Sequence, residues 1–247
     1  MDTMLVRSRY KITQILRAGE EYATFVAVDI ESREKTECLL NVYEGELSRR
    51  FADCFERLQH CPEYMGVFVT SGALVAVFKE KSAGNSIDDL FYKGAGVDWK
   101  TRLGYTQKLI HLALSVWEYP PEIGCATFLT ENLRVMRDGM QLSVNYAIPP
   151  LDGANKRELI MLMSDQIRKV LAKRFMMSVN ELDFLDKLDT YTSVPVLYSE
   201  WQNINRELVA EYEKTDRMFW PLNWWHYTVR HVKRWFKKRF PRTKRRG

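Results

Sequence analysis

Apolar and polar residues alternate in the first third of the chain and switch to helical spacing after it. Residues 10–16 (Tyr-Lys-Ile-Thr-Gln-Ile-Leu) and 23–29 (Ala-Thr-Phe-Val-Ala-Val-Asp) read as strands, and 38–42 (Cys-Leu-Leu-Asn-Val) reads as a third. Phe51, Phe55 and Leu58 share one face of a helix over 51–58. The apolar runs 67–70 and 74–80 flank Ser71-Gly72, which predicts a turn between two further strands. Past the polar stretch 82–86 a helix opens at Ile87, and a long, largely buried helix covers 99–119 with Leu103, Leu109, Leu112, Leu114 and Val116. Another spans 155–175 and turns Leu159, Leu162, Met163, Gln166, Val170 and Leu171 inward. Ser178-x-x-Glu181 is a capping-box signature for a helix burying Leu182, Leu185 and Leu188, and 199–214 carries Trp201, Ile204 and Leu208. Strands first and helices afterwards define an α+β chain.

The last thirty residues repeat on a different rule. Between Pro221 and Pro241, Trp225, Val229, Val232, Phe236 and Phe240 recur at steps of three and four, while Arg230, Lys233, Arg234, Lys237 and Lys238 fall largely on the other side. Trp220, Trp224 and Trp235 add to the aromatic content and Arg239 to the charge. Pro221 suits a first-turn position and Pro241 stops the helix. Such a helix, basic on one side and aromatic on the other, has the composition of a segment lying in a membrane interface. Arg230, Lys233 and Arg234 in its middle argue against a span. Packing of the aromatic stripe on the body, or on a partner protein, is the alternative, with nucleic acid as a third.

Charge sharpens that division. The net charge of +5 over 247 residues conceals eleven Lys or Arg and no Asp or Glu from Arg217 to Gly247, leaving residues 1–216 at −6. An acidic body with a basic end favours an anionic membrane surface over nucleic acid, which would need an extended basic face. The 46% hydrophobic and 13% aromatic content is that of a folded protein with a sizeable core. Four cysteines without Cys-x-x-Cys spacing read as free thiols of a reducing cytoplasm. The histidines form no zinc pattern, the N-terminus lacks a secretory apolar run, and no stretch of about eighteen uncharged apolar residues occurs.

Candidate chemistry lies between residues 125 and 147. The stretch 125–132 (Cys-Ala-Thr-Phe-Leu-Thr-Glu-Asn) resembles the catalytic loop of protein kinases, in which a His-Arg-Asp triplet lies five positions before an asparagine. Asn145-Tyr146-Ala147 follows Asn132 by thirteen residues, where that family carries its Asp-Phe-Gly metal motif. The order of strands and helices upstream matches the same family, with Asn41 where strand three of a kinase holds its phosphate lysine and only Gly19 in the glycine-loop position. Glu56 falls in the C-helix, and Asp165 in the place of the F-helix aspartate.

The resemblance implies a two-lobed fold with a small lobe over 8–80, a reduced helical lobe over 81–215 and a tail over 216–247. It also implies lost catalysis. Asn41, Thr127 and Asn145 replace the lysine, the catalytic aspartate and the metal aspartate, and Asn132 alone is a weak metal ligand. A degenerate kinase with a reduced large lobe ending near a membrane also resembles, in architecture, the cytoplasmic pseudokinase domain of the type VII secretion family EssB/YukC. The expectation is a bacterial pseudokinase without cofactor or metal, acting as a protein-binding scaffold at the inner membrane face. The competing class is an atypical nucleotide-dependent transferase using Asn132 with Asp138 or Asp152.

Overall fold

Strand β4 (Glu37–Tyr43) and strand β6 (Ala73–Lys79) are apolar on both faces because each lies inside a sheet covered on two sides. The computed structural model describes residues 5–58, 60–81, 84–91, 96–136, 141–174 and 176–239. With β1 (Leu5–Val6), β2 (Tyr10–Ala18), β3 (Tyr22–Asp29) and β5 (Tyr64–Thr70) these strands form one antiparallel sheet in the order β1-β2-β3-β4-β6-β5. Ser71 and Gly72 both adopt positive φ, 50° and 83°, the backbone a two-residue hairpin needs to follow the twist of its strands. Register shifts in β2 and β5 curl the sheet, so that Phe68 on the edge strand stacks on Tyr10 with centroids 5.7 Å apart.

One face of the sheet buries Tyr10, Cys38, Leu40 and Val77 in a small cluster of their own. The other receives α1 (Gly45–Glu56), where Phe51 stacks on Tyr43 at 4.1 Å and Phe55 meets Phe78 edge-on. This second cluster runs on without a break into the helices. The helix predicted over 51–58 therefore starts earlier, at Gly45, because its first turn is polar and leaves no apolar signature.

The helical part comprises α2 (Ile87–Phe91), α3 (Trp99–Ser115), α4 (Pro121–Thr127), α5 (Lys156–Val170), α6 (Val179–Lys187), α7 (Val194–Asp216) and α8 (Trp220–Arg239), with a short hairpin of β7 (Leu133–Met136) and β8 (Gln141–Val144). Side chains cap several helix starts: Ser86 accepts from Asp89 N–H ahead of α2 at 3.1 Å. Asp98 accepts from Thr101 N–H at 2.7 Å, Asn155 accepts from Arg157 and Glu158 N–H, and Ser178 accepts from Asn180 N–H. The long helix ends at Ser115 rather than 119, and the 155–175 helix ends at Val170, with Phe175 outside the described residues. Pro195 occupies the first turn of α7, so that helix begins at Val194 and not at 199.

Only half of the capping box forms. Glu181 is buried and turns from the helix start to Arg174, 3.2 Å away, and to the Tyr212 hydroxyl, while the same hydroxyl accepts from Ser178 N–H. Burial pushes the Glu181 carboxyl above its usual range, and Arg174 and Tyr212 oppose that shift. All four cysteines are free and buried.

Trp201 is the largest fully buried side chain, and its Nε1 donates to Gln107 Oε1 at 2.6 Å. Chemical denaturation of Trp201→Ala should show a loss of about 3–5 kcal/mol. Trp201→Phe should lose appreciably less.

Candidate functional site

Successive residues of β4 point to opposite sides, so Asn41 shares the face of Leu39 and Tyr43 that looks toward α1 and the helical part. Its amide is fully buried and bonded through both its oxygen and its nitrogen. Oδ1 accepts from the Tyr22 hydroxyl at 3.0 Å and from Ile148 N–H at 2.9 Å, and Nδ2 donates to Tyr146 O at 2.8 Å. Tyr22 in turn accepts from Thr24 Oγ1, and burial raises its phenol to about 12. Two residues along the strand, the Tyr43 hydroxyl donates to Ile148 O at 2.7 Å.

The chain these groups hold, residues 145–148, is gripped from below as well. Asn132 follows α4 and a tight turn; its Nδ2 donates to Ala126 O and Ala147 O, both at 2.7 Å, and its Oδ1 accepts from Ala147 N–H at 3.3 Å. Asn145 comes off β8 and spans to the segment after β6, accepting from Lys81 N–H at 2.9 Å and donating to Glu80 Oε1 at 3.2 Å. Tyr146 stacks on Phe78 at 5.1 Å. Asn41 and Tyr43 of β4, with Tyr22 bracing Asn41, together with Asn132 and with Asn145 of the segment itself, thus fix one short segment between the sheet and the helices. Each buried amide bonded on both sides supports the contact, and removing one leaves backbone groups unpaired.

Of the four positions singled out in the sequence, Asn41, Asn132 and Asn145 converge here. Thr127 does not. It lies in α4, a helix where a catalytic loop was expected, and its hydroxyl donates to Ile123 O one turn back at 2.9 Å. Pro121 at the first helical position favours that helix. Glu56 is exposed on α1. Asp165 is also exposed, paired with Arg168 at 3.1 Å, and its neighbour Gln166 is the residue that reaches inward, donating to Phe128 O at 2.9 Å and Thr130 Oγ1 at 3.2 Å. The inward positions of the α5 helix already included Gln166, which was the available signal.

A cleft of about 630 Å³ opens beside the clamp, with Leu16, Val26 and Leu39 on one side and Glu37, Glu80 and Glu131 among its polar lining. Arg17 and Arg134 also face it. Asp152 is exposed and outside that lining, and Asp138 lies outside the described residues. Among the described residues, no group of three or more His, Cys, Asp or Glu could hold a metal ion.

No protein-family model matches the chain, and no curated protein matches it by sequence. By structure it is similar to "Crystal structure of Rad53 1-466 in complex with AMP-PNP", with a TM-score of 0.52 and 11% identity over 76% of this chain and 62% of that one. The fold is therefore protein-kinase-like, two-lobed and α+β. A nucleotide with a divalent metal is what such a fold implies between its lobes. The residues present do not fit that group: the amides of Asn41, Asn132 and Asn145 carry no charge and are turned to protein partners.

The tail helix has its own arrangement, opposite to one expectation. Arg234 reaches Asp183 at 2.7 Å and also Asp186, Lys238 pairs with Asp186, and Arg230 pairs with Glu211. Tyr227 is buried beside Thr215, and His231 bonds Met177 O at 2.8 Å. Three of the cations, Arg230, Arg234 and Lys238, therefore turn to the body. Trp220, Trp225 and Trp235 are 69%, 63% and 53% exposed, Phe236 and Trp224 are exposed, and Val229 is half-buried. Of the stripe, Trp225, Val232 and Phe236 are therefore exposed, where the alternative reading had them packed on the body. Lys233 and Arg239 are exposed, with Arg239 over the Trp235 ring at 5.7 Å; the Lys237 side chain and Phe240 lie outside the described residues.

Asn41→Ala leaves Ile148 N–H and Tyr146 O without their partner and should cost about 2–4 kcal/mol on chemical denaturation. Lys238, with Arg234 beside it, holds the Asp186 carboxyl below its usual range. This contribution to docking of α8 is present above the ordinary aspartate value of about 3.9 and is lost as pH falls through the depressed one. Hydrogen exchange of α8 amides should stay slow from neutrality down to that range and quicken below it.

Proposed function

We propose that this protein is a catalytically inactive kinase-fold scaffold, held at the inner face of a membrane by its C-terminal helix and binding a partner protein through its lobes. The observation that carries the reading is the use of Asn41, Asn132 and Asn145 as structural ties to residues 145–148. Phosphoryl transfer depends on a positioned cation, bound metal and an oriented nucleophile. Amides bonded on both sides to protein supply none of these. The cleft lining carries three carboxylates, Glu37, Glu80 and Glu131, against two arginines, Arg17 and Arg134, and so offers a triphosphate no net positive charge. A transferase using Asn132 and Asp152 gains no support, because the first is bonded to backbone and the second lies away from the cleft.

The membrane part of the reading rests on the aromatic side of α8 facing outward. Among the described residues no helix is long and apolar enough to cross a membrane, which fits peripheral attachment. Binding of nucleic acid is disfavoured by the inward pairing of Arg230, Arg234 and Lys238. A secretion or signalling complex, as in the type VII secretion family the sequence resembles, is the setting proposed for the scaffold.

A thermal-shift titration with ATP and magnesium or manganese tests the inactive site. No metal-dependent rise in melting temperature is expected. A rise that depends on metal and disappears in Asn132→Ala would overturn the reading.

A further inference from the structure

The two sides of α8 do different work. On a helix with about 100° between residues, Trp225, Val232 and Phe236 point opposite to Arg234. The inward side is secured by carboxylates that α6 and α7 provide: Asp183 and Asp186 lie one turn apart on α6, and Glu211 stands on α7. The outward side carries Leu222, 62% exposed, then Trp225, Val232 and Phe236, with Trp235 at its edge. It is flanked by the exposed cations Lys233 and Arg239. In sequence, Arg242, Lys244, Arg245 and Arg246 follow, with no acidic residue after them.

From this placement we infer that α8 stays docked on α6 and α7 while its outer aromatic ridge enters a phospholipid bilayer interface, and that Arg230, Arg234 and Lys238 take no part in lipid binding. The inference rests on the membrane reading above and divides that site into an anchoring side and an inserting side. Tryptophan is suited to the insertion because its ring has an apolar body and a polar N–H that remains at headgroup depth. The charge pattern favours lipid over nucleic acid: a polyanion would need outward cations in a row, and three of them are turned onto Asp and Glu of the same chain. It also explains how an amphipathic basic helix can sit on an acidic body without hiding its apolar side. The body takes the charge, and the bilayer takes the rings. A protein seated in this way presents its helical part to the membrane and its cleft and sheet elsewhere, free for a partner.

The test uses the full chain and co-sedimentation with phosphatidylcholine vesicles and with mixed phosphatidylcholine–phosphatidylserine vesicles. W225S/W235S removes two exposed rings without touching the body and should weaken binding to both vesicle types about tenfold or more. D183N/D186N frees Arg234 and Lys238 and loosens α8 from α6; the outer rings stay exposed either way, so binding to phosphatidylcholine should not weaken. The freed pair should strengthen binding to phosphatidylserine vesicles about fivefold per released cation. Wild-type pelleting that W225S/W235S does not alter would overturn the inference while leaving the membrane reading in place. So would a D183N/D186N variant whose phosphatidylserine preference equals that of the wild type. Absence of wild-type pelleting with either vesicle would remove the membrane reading and the inference together. If, in that case, the wild type proves dimeric by sedimentation velocity and W225S/W235S monomeric, the ridge belongs to a second copy of the chain.

Discussion

Residues 145–148 are the point on which the two halves of this protein agree. The sheet reaches them through Asn41 and Tyr43, the turn after α4 through Asn132, and the segment after β6 through Asn145. A buried amide is costly unless its oxygen and nitrogen both find partners, and here each does. The same bonds that remove this cost also use up the groups a kinase would leave open to nucleotide and metal. On the proposed reading, stability and loss of catalysis are one arrangement seen from two sides. A lysine at position 41 could not make these bonds, since an ammonium donates but cannot accept from Ile148 N–H and Tyr22.

A second partition governs the tail. An acidic body and a basic end would, as free segments, attract one another without specificity; the structure turns that attraction into a defined contact through Asp183, Asp186 and Glu211. Single exposed ion pairs contribute little, but several on one helix face, joined to the buried Tyr227, set which side of α8 points inward. The aromatic side is left exposed as a consequence. Isolated exposed apolar residues are ordinary, whereas several on one helix face are the basis of the proposed membrane contact.

Much of this could be read from the chain. Alternation located β2 and β3, runs of apolar residues located β4, β5 and β6, and the Ser71-Gly72 turn fell where positive φ was required. The three asparagines were found because the kinase resemblance gave each a place. What they do there was not legible, because hydrogen bonds between residues about a hundred positions apart leave no local pattern. Thr127 failed for a local reason: a proline at the start of α4 made a helix of the expected loop. Asp165 failed by one position, since a carboxylate was sought where an inward amide, Gln166, holds the turn before Asn132. The tail's composition was clear and its orientation was not. The clue lay outside the tail, in the spacing of Asp183 and Asp186 on one face of α6.

The central claim is that residues 145–148 are held as part of the core and do not open to admit a nucleotide. Native-state hydrogen exchange at the Ala147 and Ile148 amides, which donate to Asn132 Oδ1 and Asn41 Oδ1, measures this directly. Exchange only through global unfolding, at the rate of the slowest amides of β4 and β6, is the predicted result. Exchange through local opening, orders of magnitude faster than those strands, would contradict the account.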